Sequence, residues 1–256
     1  MMDEVLGYFN VFLLVFARMG GMILANPIFA RRNVPARVKI GLVLAVSLLL
    51  APNLDGTAVA SLNDFEMITI MVKEVMFGFG LGFVFYFFFY MLYVAGDLMD
   101  TVFGLAMSKI FDPMSGVQMS SIGNFLTILF ILYFFATGSH LIMIKIFTYS
   151  YELVPLGNFS FNLTVISNFF IDIFSSAFLL CIKLTLPFVA AELIVEVAMG
   201  ILMKLVPQIH VFVINMQFKI LTAILLMFFF AQPMGDFIDR YIGTMITEMQ
   251  KFMQLI

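Results

Sequence analysis

Long apolar runs, none of them alternating with a period of two, dominate the chain. They fall at 5–30, 36–51, 66–96, 119–148, 163–204 and 208–232, and an amphipathic tail follows at 234–256. All are too long for strands, so the pattern predicts helices throughout. Pro27, Pro35, Pro52, Pro113, Pro155-Leu156-Gly157 and Pro207 punctuate the joints. No short repeat and no low-complexity tract stands out.

A bilayer span needs about 20 apolar residues to cross roughly 30 Å of hydrocarbon. Val75–Gly96 meets this without a charge, and so does Pro113–Ile144 with His140 neutral. The other runs are interrupted. Arg18 sits near the middle of the first, and the short second run carries Arg37 and Lys39 in its first turn. The 163–204 run holds Asp172, Lys183, Glu192 and Glu196, and the 208–232 run holds His210 and Lys219. A charge at mid-membrane costs about 2.5–3.5 kcal/mol on insertion scales. Four on one helix cannot all face lipid. They must face protein or a watery cavity, so these helices are expected to pack against partners that supply counter-charges.

Composition sharpens this picture. Of 256 residues, 63% are apolar and 11% charged, against about 25% charged in ordinary soluble domains. Mean hydropathy is +1.10. A soluble domain of this length cannot bury so much apolar surface. The net charge of −3 gives no case for nucleic acid, which selects a basic face. The lone Cys181 excludes an intrachain disulfide and a cysteine metal cluster. The first residues, Met1-Met2-Asp3-Glu4, are acidic where a secretory signal is basic, so the first run is expected to be retained. The 31–39 joint holds Arg31, Arg32, Arg37 and Lys39, whereas the 53–66 joint holds Asp55, Asp64 and Glu66. The positive-inside rule then puts the first joint on the cytoplasmic side.

Chemistry-bearing groupings are few. Asp97 and Asp100 share a helical face; paired carboxylates suit acid–base work or ion binding, and the plainer reading is a polar helix start at a membrane exit. Glu192 and Glu196 repel at i,i+4 and call for cationic partners, with intersubunit pairing favoured over a proton relay. Gly78, Gly80 and Gly82 include a spacing that allows close helix approach and follow no strand, which argues against a dinucleotide fingerprint. His140 and His210 carry no metal motif. No Walker A loop, nucleophile elbow or zinc signature is present, so an enzyme is not expected, nor a cofactor. Phe111-Asp112-Pro113-Met114-Ser115-Gly116-Val117-Gln118 is rich in turn chemistry and lies between two hydrophobic helices. It is either a connecting loop at a membrane face or irregular backbone at membrane depth, which is tolerated only inside protein or along a cavity.

At these residues the sequence resembles the FliR family of flagellar biosynthetic proteins, whose relatives in virulence systems are the SctT proteins of the type III secretion export gate. The resemblance covers nearly the whole chain. It rests on Pro27-Ile28-Phe29 with Arg31-Arg32-Asn33-Val34-Pro35, Lys39-Ile40-Gly41-Leu42, Gly96, Gly104 and the 111–118 loop. Ser150-Tyr151-Glu152-Leu153-Val154-Pro155-Leu156-Gly157, Pro187, Gly200 and Pro207-Gln208 complete it. Gly138-Ser139-His140 departs from the family's more usual Gly-His-His run and puts any role of paired histidines in doubt.

The resemblance implies an all-α membrane protein of long hydrophobic helices and helical hairpins. A FliP-like portion at 1–160 would be fused to a FliQ-like hairpin and C-terminal amphipathic helix at 161–256, turning near Val206-Pro207. It implies a non-enzymatic core subunit of the flagellar export gate in the bacterial inner membrane, at the flagellar basal body. FliP-like, FliQ-like and FlhB-like proteins would be its partners, and unfolded flagellar subunits its transient cargo. The plug of the closed pore would be Phe111, Asp112, Pro113, Met114, Ser115, Gly116, Val117 and Gln118. Arg18, Asp172, Lys183, Glu192, Glu196 and Lys219 would find partners across subunit contacts. The alternative is a stand-alone polytopic transporter or channel, which would more often show internal repeats.

Overall fold

A computed structural model of the protein describes residues 2–30, 34–54, 59, 63–105, 120–157, 162–206 and 211–255, with the side chains of 2–6 and 211–213 excepted. Every regular element among them is helical: α1 (Met2–Ala25), α2 (Ala36–Leu50), α3 (Asp64–Val102), α4 (Ser121–Ala136), α5 (Ser139–Leu153), α6 (Leu163–Leu205), α7 (Val211–Phe229) and α8 (Ala231–Gln254). A short 3-10 turn, Ala51–Asn53, closes α2. Four of the described helices are long and apolar enough to cross a membrane, at Gly7–Ala25, Ala36–Asn53, Asp64–Val102 and Leu163–Leu205. The count rises to 6 if α4 with α5, and α7 with α8, each form one broken span. The protein is an all-α membrane protein.

Local chemistry sets the helix ends. Pro35 precedes α2 with extended backbone (ψ 142°), as its ring favours just outside a helix. Asp64 and Glu66 lie in the first turn of α3, where the helix dipole favours anions. The Glu66 carboxylate also accepts from the Asn63 amide at 3.0 Å, half of a capping box. Asn162 caps α6 by accepting from the Thr164 and Val165 amides at 3.2 and 3.4 Å. Pro233 falls in the first turn of α8, where a missing amide is harmless. Pro187 is different, since it lies inside the continuous α6.

One expected run is divided. The apolar stretch at 119–148 contains two helices because Gly138 adopts φ +74°, a left-handed conformation that glycine takes without steric cost. In the other direction, α3 runs through Gly96 to Val102, so Asp97 and Asp100 sit in its closing turns and not at a helix start.

The chain forms two compact units. The first comprises Met1–Phe88, Gly138–Ile173 and Gly243–Ile256, and the second Phe89–Thr137 and Phe174–Ile242. In the first unit α1 and α3 cross with backbones in contact. A Cβ added at Gly78 would run into the Arg18 carbonyl oxygen, and one at Gly82 would lie 2.7 Å from that of Met22. The glycine spacing therefore serves close packing, within this chain. The second unit buries Leu92, Met99, Phe103, Leu126, Phe130, Phe134 and Phe188, with Phe130 and Phe134 stacked at 6.1 Å and Phe103 edge-on to Phe188 at 6.1 Å.

Arg18 organises the first unit. Its side chain is fully buried. Its Nε donates to Glu74 Oε2 at 2.5 Å, and its Nη1 donates to the Ser150 and Val154 carbonyls, both at 3.0 Å. The guanidinium lies between the rings of Phe77 and Tyr151, 4.7 and 4.5 Å from their centroids. Glu74, also fully buried, accepts from the Gly157 amide at 3.1 Å, and the Tyr151 hydroxyl donates to the Val15 carbonyl at 3.3 Å. One charge pair thus binds α1, α3, α5 and the turn after α5. The expectation that Arg18 meets its counter-charge across a subunit contact is corrected here. Glu74, one helix away in the same chain, already meets it. Removing one member of a buried pair strands the other at a cost of about 3–5 kcal/mol. Arg18→Met is therefore expected to lower the thermal midpoint of the detergent-purified protein markedly. The double substitution Arg18→Met with Glu74→Leu should recover most of the loss; no recovery would mean that the carbonyl and ring contacts, and not the charge pair, carry the stability.

Candidate functional site: the braced ends of the 106–119 segment

The second unit contains the residues that lead into and out of the segment 106–119. That segment includes the expected plug, Phe111 to Gln118, and lies outside the described residues; its flanks do not. On the incoming side α3 ends at Val102, and the chain turns through Gly104 at φ +74°. The Phe103 amide bonds the Met99 carbonyl at 2.9 Å and the Gly104 amide bonds that of Thr101 at 3.3 Å. This is a glycine-terminated helix end.

On the outgoing side Ser120 caps α4, its Oγ accepting from the Gly123 amide at 2.9 Å. The cap is held in turn by α3. Asp100, fully buried, accepts from the Ser120 hydroxyl at 2.7 Å and from the Ser121 and Ile122 amides at 2.6 and 3.1 Å. The Ser120 amide donates to the Tyr93 hydroxyl at 2.9 Å. The first amides of a helix have no partner within it, and a carboxylate placed there satisfies them and the dipole together. The helices also touch: a Cβ at Gly96 would collide with the Cα and the nitrogen of Gly123. Any larger residue at Gly96 would separate Asp100 from the amides it caps.

These contacts bring the two flanks of the segment to one place. In the sequence Asp100 stands only as half of an acidic pair with Asp97. The structure uses it as a cap, its oxygens accepting from the Ser120 hydroxyl and the Ser121 and Ile122 amides among the described residues. Tyr93 and Ser120 carry no sequence signal beyond their hydroxyls. The hydroxyls of the Ser120-Ser121 pair, ahead of an apolar run, are the N-cap signal that could have located the cap.

The predicted charged residues fall into distinct settings. Within the second unit, Lys219 on α7 pairs with Glu196 on α6 at 3.6 Å, the lysine largely buried and the glutamate 59% exposed. The Lys219 Cδ also lies 4.0 Å from where a Cβ on Gly104 would sit, so its stem passes beside the incoming flank. Glu192, one turn from Glu196, is 1% exposed, and neither carboxylate oxygen has a hydrogen-bond donor among the described residues. Lys183 in this unit and Asp172 in the first are exposed on an otherwise apolar helix. His210 lies outside the described residues, and no grouping of His, Cys, Asp and Glu suited to a metal occurs among the described ones.

Fold and site together define an all-helical membrane protein that braces an inter-helix segment from both sides. The chain belongs to the family of bacterial export proteins, family 1, whose model matches residues 9–245. It is similar to flagellar biosynthetic protein FliR of Bacillus subtilis (strain 168), 25% identical over 228 residues and 88% of each chain. It is also similar to FliR of Escherichia coli (strain K12), 28% identical over 228 residues, 88% of this chain and 85% of the relative. Yop proteins translocation protein T of Yersinia pestis is 26% identical over 198 residues, 76% of this chain and 75% of that one.

The Asp100 cap generates a direct test. Losing an N-cap costs about 0.5–2 kcal/mol, and hydrogen bonds to a charged group contribute about 1.5–3 kcal/mol. Asp100→Ala should therefore lower stability by about 2–4 kcal/mol, and proteolysis should begin within 106–119. Asp100→Asn, which keeps one of the two acceptor oxygens, should lose less than Asp100→Ala. Equal losses in the two variants would mean that one acceptor oxygen without the charge does not hold the cap.

Proposed function

We propose that this chain is a non-enzymatic core subunit of the flagellar type III protein export gate in the bacterial inner membrane, at the flagellar basal body. In this reading it forms part of the pore through which unfolded flagellar subunits pass, and the loop 111–118 helps to close that pore. Its partners are FliP-like, FliQ-like and FlhB-like proteins. The division into a FliP-like portion, 1–160, and a FliQ-like hairpin with an amphipathic helix, 161–256, belongs to the same proposal.

The observation that carries the reading is the braced site. A closing loop has to hold its position against a pressure of ions and polypeptide, yet yield to cargo. Anchoring both flanks to one buried carboxylate fixes where the chain enters and leaves the segment between them. The family membership and the names of the relatives supply the process. The charges on α6 supply the case for partners. Asp172, Lys183 and Glu196 are exposed on a helix otherwise suited to lipid, and Glu192 is buried with no donor among the described residues. Neighbouring subunits that bring cations to Glu192 and counter-charges to Lys183 and Asp172 would remove the cost of keeping them there. Lys219 contributes by holding Glu196.

Two measurements test this. Deleting 111–118 should leave assembly intact and make the closed gate leak small ions in planar bilayers; unchanged conductance would remove the plug assignment. Co-purification from the source cell should recover FliP-like and FliQ-like proteins. Glu192→Leu should weaken that recovery by about tenfold or more, the scale of stranding one charged partner at an interface. A stable solitary chain that recovers no partner would favour the stand-alone transporter.

A further inference from the structure

The first unit carries an open groove with a volume of about 610 Å³, lined by Val75, Met76, Phe79, Gly80 and Phe83 of α3, Leu163, Ile166 and Phe170 of α6, and Phe252 of α8. The volume is in the range of small-molecule sites, ~300–1,000 Å³, and no polar side chain lines it. Its floor is built. A Cβ on Gly80 would collide with the Phe252 ring, so glycine there admits the ring. Phe252 packs on Phe77 at 5.9 Å and on Phe169 and Phe170 at 5.5 and 6.1 Å. Phe83 closes the far end, edge-on to Phe170 at 5.5 Å. The rims stay uncovered: Met76 and Phe79 are 55% and 54% exposed.

Two features select the occupant. The first is charge. Lys73 precedes Met76, Gly80 and Phe83 on one face of α3, at spacings of three, four and three residues. It is half-buried and makes no ion pair among the described residues. A lysine stem can lie along apolar surface with its ammonium at the rim. The second is length. From Lys73 to Phe83 the helix rises about 15 Å at ~1.5 Å per residue, half of the roughly 30 Å hydrocarbon thickness. A groove lined along α3 from Val75 to Phe83, about 12 Å of helix, apolar throughout and with a lysine on the same face one turn before Met76, matches a single lipid better than a spanning partner helix.

We infer that this groove binds one anionic phospholipid, its acyl chain along Gly80 and Phe252 and its phosphate at Lys73. The inference rests on the chain being a membrane protein and not on its role in export, so either can fail without the other. The chain has no tryptophan, which makes one introduced indole a specific reporter. Phe79→Trp, at an exposed rim position, places it in the groove. The detergent-purified protein is reconstituted in phosphatidylcholine vesicles containing a small fraction of acyl-dibrominated phosphatidylglycerol or, separately, acyl-dibrominated phosphatidylcholine. Bromine quenching should report phosphatidylglycerol binding about fivefold tighter than phosphatidylcholine, the factor for one lysine at an anionic surface. Adding Lys73→Gln should abolish the preference. Ile194→Trp, at a position 71% exposed on α6, should show none. Equal quenching of the groove indole by both lipids would reduce the groove to ordinary lipid-facing surface. Quenching by neither would mean that protein covers it. Either result overturns the proposal.

Discussion

A guanidinium inside apolar helices needs a carboxylate, acceptors for its remaining hydrogens and a wall against water. Arg18 obtains the first from Glu74, acceptors for its Nη1 hydrogens from two carbonyls at the end of α5, and the third from Phe77 and Tyr151. Because these groups come from α1, α3 and α5, the pair cannot form until the elements are in place. It also fixes register, since sliding α3 by one turn past α1 would part the carboxylate from Nε and drive Gly78 away from the Arg18 carbonyl. The same crossing thus depends on a glycine, for contact, and a charge pair, for position. A hydrophobic replacement of both charged groups can match such a pair in stability, so register is the better account of why a costly charge sits there.

The second unit repeats the logic with a different donor set. Asp100 accepts from the hydroxyl and amides at the start of α4. A helix N-terminus is a partial positive charge already aligned, so burying the carboxylate against it costs less than burying a full ion pair. What this fixes is local: where α4 begins relative to the end of α3, and hence the separation of the two flanks of 106–119. Gly96 against Gly123 sets the distance at which the cap works.

The helical class, the apolar runs and most helix ends are legible in the sequence, because period and capping chemistry are local. Gly78 and Gly82 are legible as contact residues for the same reason. The partner of Arg18 is not: Glu74 lies 56 residues away and reads as one more charge at the edge of an apolar run. Nor does the Asp97–Asp100 spacing show that Asp100 is the one enclosed by a returning helix, since that depends on where α4 comes back. Gly138 lies in a short polar interruption, Thr137-Gly138-Ser139-His140, of the apolar run, and its left-handed backbone makes the break. Lys219 and Glu196 form a pair across α6 and α7, so part of what pointed to another subunit is met by the adjoining helix.

What is left unmet among the described residues is therefore informative by contrast. Arg18, Glu74 and Asp100 show that this fold can enclose a charge and meet it from several directions. Glu192 is as deeply enclosed, yet no donor reaches it among the described residues. Its neighbour one turn away takes Lys219, and at 3.6 Å that ion pair leaves the lysine oriented to Glu196. A fold able to place a cap to within hydrogen-bonding distance at Asp100 has no evident obstacle to doing so at Glu192. What separates the two carboxylates is therefore the donor set each meets among the described residues: the start of α4 for Asp100, and none within hydrogen-bonding distance for Glu192.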